Sequence, residues 1–176
     1  MNWWGEVKEE DGINLLQKAA DKGITFFDTA DTYGAGYGEE IIPKALADRR
    51  KDLVIGTKFG YDIEAPREGH KERPQQWDTD FIKKACEGSL RRLQTDYIDI
   101  YQYHNPRLEA LQRDDTVTAL EDLKAEGKIH DFHAANKVNA HDALGIDFWV
   151  ELEPKGFFQR IFPVQVKSSF KAAKEF

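Results

Sequence analysis

Ile24-Thr25-Phe26-Phe27-Asp28 reads as a short apolar strand that ends in a carboxylate. Outward from it the pattern alternates. Upstream, residues 11–22 read as a helix: Asp11 can cap it, Ile13, Leu16 and Ala20 share a face, and Gly23 stops it. Downstream, residues 39–49 read as a second helix that carries Pro43 in its interior. Leu53-Val54-Ile55-Gly56-Thr57 is a second strand, and residues 61–76, rich in charge, Pro and Gly, form a long loop. A helix over 79–93, capped by Asp78 or Thr79, leads to a strand over 97–103. A helix over 115–126, ended by Gly127, leads to strands over 129–134 and 162–166. Residues 137–160 carry no readable periodicity.

Strand and helix alternating at this spacing predict an α/β fold with a parallel sheet of about five βα units. Such strands are buried on both faces, which accounts for their near-continuous apolar runs. A barrel and an open doubly wound sheet both satisfy the pattern. In either, the C-terminal strand ends share one rim. Asp28, Lys58 and His104 stand at strand ends and are expected to converge there, with Asn136 and Gln165 at the ends of the last two strands. An Asp, a Lys and a His together suggest a proton-handling site.

Bulk properties narrow the function classes. The chain has 176 residues, enough for a single domain with a real core. Net charge is -7, which suits a phosphate backbone poorly, so no nucleic-acid partner is expected. No apolar run reaches the ~18 residues of a membrane span. Residues 1–6 lack the basic start and apolar stretch of a secretion signal, so a cytoplasmic location is expected. The one cysteine, Cys86, lies four residues from both Ile82 and Leu90, on a helix's apolar face, and reads as a core thiol. His130, His133 and His141, with Asp131 and Asp142, do not read as a metal site, because residues three apart on a strand face opposite sides. Gly34-Ala35-Gly36-Tyr37-Gly38 follows no strand directly, so it reads as a rim loop and not as a dinucleotide fingerprint. Trp3 and Trp4 suit either a pocket wall or a cover over one end of the core.

Phe26-Phe27-Asp28 with Tyr33, Thr57-Lys58-Phe59-Gly60 and Tyr101-Gln102-Tyr103-His104, within residues 3–136, together resemble the aldo-keto reductase superfamily. Phe26-Phe27-Asp28-Thr29-Ala30-Asp31-Thr32-Tyr33-Gly34 is similar to its signature, a strand ending in Asp with Tyr five residues later. Ile55-Gly56-Thr57-Lys58-Phe59-Gly60 resembles the strand that bears its lysine. Asp96-Tyr97-Ile98-Asp99-Ile100-Tyr101-Gln102-Tyr103-His104 resembles the strand that bears its histidine, and Glu126-Gly127-Lys128-Ile129 the approach to the next. The resemblance implies an incomplete (β/α)8 TIM barrel, about strands two to six, with 1–136 well matched and 137–176 divergent. It implies catalytic roles for Asp28, Tyr33, Lys58 and His104: NADPH reduces an aldehyde or ketone, or the alcohol is oxidised, with Tyr33 as proton donor. Asn136 and Gln165 would bind the nicotinamide carboxamide.

Departures from the pattern are also expected to matter. His133-Ala134-Ala135-Asn136 stands where the family has Gly-x-Ser-Asn, so Ala135 lacks a hydroxyl. Gly38 replaces a serine helix cap, and Pro43 should kink its helix. A whole barrel takes ~250 residues, so open strand edges are expected to favour self-association. The other function class compatible with these features is a barrel-derived binding or regulatory protein that keeps the site without turnover.

Overall fold

A computed structural model describes residues 8–66, 69 and 71–135. Trp3, Trp4, Asn136, His141, Asp142, Gln165 and the strand expected over 162–166 lie outside the described residues. The elements run α1 (Glu9–Asp21), β1 (Phe26–Asp28), α2 (Tyr37–Leu46), β2 (Val54–Phe59), α3 (Thr79–Leu93), β3 (Ile98–His104), α4 (Leu108–Leu111), α5 (Asp114–Ala125) and β4 (Ile129–Ala135).

The four strands pair in parallel in the order β1-β2-β3-β4, each beside its neighbour in the chain. A doubly wound sheet would reverse direction at a switch point and carry helices on both faces. Here α1, α2, α3 and α5 lie side by side on one face. Phe27 packs into α1 and α2 with Leu16, Ala45 and Leu46, while Ile55, Phe59, Tyr101 and Tyr103 pack against Ile82, Cys86 and Leu90 of α3 and Leu120 and Leu123 of α5. Side chains alternate along a strand, so Asp28, Lys58 and Gln102 project from the opposite face. Of the two candidates, only an arc of a (β/α)8 barrel has this arrangement.

Most element limits follow the sequence closely, and the exceptions have local causes. Asp11 does not cap α1. The helix begins at Glu9 after Lys8, and Asp11 joins Glu9 and Glu10 in a first turn whose negative charge suits the helix dipole. Gly23, at φ 87°, does terminate it. In α2 the α-helical bonding stops three residues after Pro43, at Leu46, and residues Ala47–Asp52 continue as a 3-10 helix. Gly38 is not the cap of α2 either. That position is Gly36, at φ 100°, and Gly38 lies in the first turn. A Cβ on Gly38 would come within 2.8 Å of Thr29 Oγ1 and 2.9 Å of Tyr33 Cβ, so its missing side chain lets α2 close onto the Tyr33 loop. For α3, Asp78 is the cap, accepting from Phe81 N–H at 3.0 Å.

The described residues within 61–76 are irregular, apart from one antiparallel bridge between Tyr61 and Gln75. Cys86 is fully buried in the layer between sheet and helices, and burial pushes its thiol up to about 12. It is a core side chain, as its helical spacing indicates. No helix among the described residues is long and apolar enough to cross a membrane.

Candidate active site

Strand register gathers the polar side chains. Asp28 is the last residue of β1 and pairs with Gly56, two residues before Lys58. Lys58 pairs with Gln102, two residues before His104. His104 ends β3 and pairs with Ala135, the last residue of β4, so all four strands reach one rim.

Asp28 and Lys58 form a buried ion pair, 4% and 3% exposed. An unpaired charge at such depth would cost several kcal/mol, so the groups around the pair matter. Lys58 Nζ also donates to the Thr29 carbonyl at 2.8 Å. Asp28 Oδ1 accepts from Gln102 Nε2 at 2.9 Å. Gly56 makes room for that bond, since a Cβ there would press on Gln102 Nε2 at 3.1 Å and Asp28 Oδ1 at 3.3 Å. These two bonds come from a main-chain carbonyl and an uncharged amide, so neither adds a charge to the pair.

Above the pair sits Tyr33, 38% exposed, in the loop between β1 and α2. The Lys58 ammonium lies 5.2 Å from its ring centroid. The His104 ring meets Tyr33 edge-on, with centroids 5.8 Å apart at 88°, and meets Tyr61 in the same way at 5.1 Å and 86°. Thr32 Oγ1 lies 3.3 Å from His104 Nδ1. Beneath, Gln75 Nε2 donates to the main-chain oxygens of His104 at 3.4 Å and Asn105 at 3.1 Å. The structure therefore brings Asp28, Tyr33, Lys58 and His104 together. Asn136 and Gln165 cannot be placed, being outside the described residues.

Sequence reading passed over Gln102, Thr32, Tyr61 and Gln75. Gln102 left a readable signal: a polar residue inside the apolar run Ile100-Tyr101-Gln102-Tyr103, in phase with His104. Tyr61 and Gln75 left none, because their contacts arise from the path of an irregular loop. His130 and His133 are also placed. His130 stacks on Tyr97 with centroids 4.7 Å apart, and His133 lies 3.3 Å from Asp131. They hold different neighbours and do not converge.

Behind the rim, Asp31 is 2% exposed and its Oδ1 is buried with no hydrogen-bond partner among the described residues. Burial, and then the nearby Glu39 carboxylate, hold the Asp31 carboxyl well above the usual carboxylate range. Glu39 itself is matched by Arg92 at 2.6 Å and Thr57 at 2.6 Å, so the strain falls on Asp31. A raised native pKa means that the folded state holds this proton more tightly than the unfolded chain does. Its contribution to stability is therefore full below about pH 4 and is lost as pH rises through the native value. Asp31→Asn removes that loss. The variant is expected to melt higher than wild type at pH 8, by about 2–4 °C for each 1 kcal/mol gained, with a smaller gain at pH 4. Thermal melts at the two pH values check this, and an equal or lower Tm at pH 8 would contradict it.

Comparison with known proteins agrees with the fold. The model of the "Aldo/keto reductase family" matches residues 1–138. The uncharacterized oxidoreductase YqkF of Bacillus subtilis is 40% identical over 125 residues, covering 70% of this chain and 39% of that protein. Probable aldo-keto reductase 1 of Glycine max is 39% identical over 124 residues, covering 70% of this chain and 34% of that protein. Among solved structures, the holo form of the Bacillus halodurans aldo-keto reductase AKR11C1 superposes with a TM-score of 0.68 at 33% identity, covering 80% of this chain and 45% of that one. A Klebsiella pneumoniae aldo-keto reductase in complex with NADPH superposes with a TM-score of 0.63 at 33% identity, covering 81% and 45%. The chain spans less than half the length of each of these relatives. With its parallel arc, its one-sided helix layer and its matched motifs, the chain belongs to the aldo/keto reductase family.

Proposed function

We propose that this site reduces an aldehyde or ketone with NADPH, or oxidises the corresponding alcohol, with Tyr33 as the proton donor. One observation carries the reading: a buried, charge-matched Asp28–Lys58 pair lies beneath a half-exposed phenol, with an imidazole edge-on beside it. These groups move protons and stabilise charge, and none can deliver a hydride. The donor set fits a nicotinamide for that reason: it supplies the acid half of a reduction and needs a hydride source. NADPH supplies that hydride when bound.

This chain's residues do the rest. Asp28 and the Thr29 carbonyl keep Lys58 charged and fixed. The ammonium favours the phenolate that forms as Tyr33 gives its proton to the substrate oxygen. His104 donates a hydrogen bond to that oxygen as negative charge gathers there. The buried Tyr61 ring also packs against His104. Asn136 and Gln165 would hold the nicotinamide carboxamide.

Fluorescence titration of the folded chain with NADPH tests the reading. Trp77 packs against Phe59 and Tyr103, close to the rim, and provides a signal. Saturable binding below about 1 mM, roughly 4 kcal/mol, is expected. Absence of saturation would sink the enzymatic reading. It would leave the other class, a barrel-derived binding or regulatory protein, in which the missing hydroxyl at Ala135 is one lost cofactor contact.

A further inference from the structure

We propose that Thr32 is the positioning residue of the site: its hydroxyl donates to His104 Nδ1, which fixes the imidazole as the tautomer protonated on Nε2. The inference deepens the carbonyl-reductase reading and rests on it for its catalytic meaning, although the tautomer can be read without turnover. The contact links two distant parts of the chain, since Thr32 Oγ1 and His104 Nδ1 lie 3.3 Å apart across 72 residues.

Both partners are held in place. Thr32 is half-buried and sits in a tight turn pinned on each side. Asp31 N–H reaches the Lys58 carbonyl at 3.4 Å, Tyr33 N–H bonds the Ala30 carbonyl at 3.1 Å, and Gly38 N–H bonds the Tyr33 carbonyl at 2.9 Å. The His104 ring packs at near-right angles against both Tyr33 and Tyr61. Its main chain is clamped by Gln75, at the point where Asn105 turns out of the strand at φ 48°. The ring cannot turn over without exchanging Nδ1 for a carbon and losing Thr32.

A hydroxyl can donate or accept, and a neutral imidazole has one N–H. Two arrangements therefore satisfy the contact. If Nδ1 carries the proton, it donates to Thr32, and Nε2 presents a lone pair. That lone pair would repel the oxygen on which negative charge gathers during reduction. If Thr32 donates, Nε2 carries the proton and can stabilise that charge. Only the second arrangement makes His104 a donor while neutral. The loss of one neutral hydrogen bond that holds the tautomer corresponds to roughly tenfold in rate.

The test is a long-range proton–nitrogen correlation spectrum of histidine-labelled full chain at neutral pH without cofactor, with His104 assigned by its loss in His104→Gln. A pyridine-type Nδ1 and a pyrrole-type Nε2 are expected for His104. In Thr32→Val, Nδ1 should move downfield as it loses its donor, while Thr32→Ser should keep the wild-type position. A proton on Nδ1 in the wild type would overturn the proposal. So would an Nδ1 signal that does not move in a folded Thr32→Val. If Thr32→Val does not fold, the wild-type tautomer and Thr32→Ser decide. In the kinetic arm, Thr32→Val should lower kcat about tenfold with KM nearly unchanged, and Ser should restore it. Should the chain prove unable to bind NADPH, the spectrum still decides the tautomer, so the two failures are distinguishable.

Discussion

Tyr33→Phe is expected to abolish carbonyl reduction, by about 10³-fold or more in kcat, while leaving NADPH affinity and folding intact. The substitution removes one oxygen and little else. The ring keeps its edge contact with His104, centroids 5.8 Å apart, and its place 5.2 Å from the Lys58 ammonium. At 38% exposure the ring contributes little to the core, so the stability change should stay within about 0.5 kcal/mol. What disappears is the phenol oxygen of the tyrosine whose ring lies beside the Lys58 ammonium; Tyr61, which also packs on His104, is buried. Steady-state kinetics with an aldehyde, alongside cofactor titration and a melting curve, make the measurement. Wild-type turnover in Tyr33→Phe would refute Tyr33 as the acid. A lost affinity for NADPH with normal melting would instead assign it to cofactor binding.

How far the sequence could be read depends on the range of the interactions involved. The second and third strands were legible because parallel strands are covered on both faces, which leaves runs such as Leu53-Val54-Ile55 and Tyr97-Ile98 with no solvent-facing alternation. Cys86 was legible because its burial follows from helical spacing alone. The rim position of Asp28, Lys58 and His104 followed from their places at strand ends, and the inclusion of Tyr33 came from the family motif. Barrel and doubly wound sheet were not separable locally, since the difference lies in which face the helices cover. The start of α1 was missed because three consecutive acids, Glu9 to Asp11, can all serve a helix N-terminus. The importance of Gly38 was missed because it is set by Tyr33 and Thr29 closing over it. Thr32 looked like an ordinary loop threonine, and its partner lies 72 residues away. The candidate proton-handling residues were visible in the sequence, whereas the groups packed around them are set by contacts that only the fold creates.

The second large effect concerns the buried pair. Lys58→Met is expected to destabilise the chain by about 3–5 kcal/mol, because it strands the Asp28 carboxylate in a site 4% exposed. Gln102 cannot rescue it: one amide bond at 2.9 Å does not replace a full charge. Asp28→Asn should also be costly, leaving Lys58 with the Thr29 carbonyl, whose partial charge is a weak substitute for a carboxylate. The double variant Asp28→Asn/Lys58→Met should recover most of the loss, since uncharged groups of similar volume replace both ions and Asn can still accept from Gln102. Urea unfolding of the three variants measures this, and a coupling energy above about 1 kcal/mol is expected between the two sites. Additive losses would mean that the two ions do not depend on each other. The same variants separate a structural pair from a functional one. A pair that only supported the fold would leave turnover intact once the double variant regained stability. Under the proposed chemistry the double variant should fold and stay inactive, because nothing beneath Tyr33 would then favour its phenolate. Stability would be restored by removing both charges, and activity would not, since activity depends on the ammonium itself.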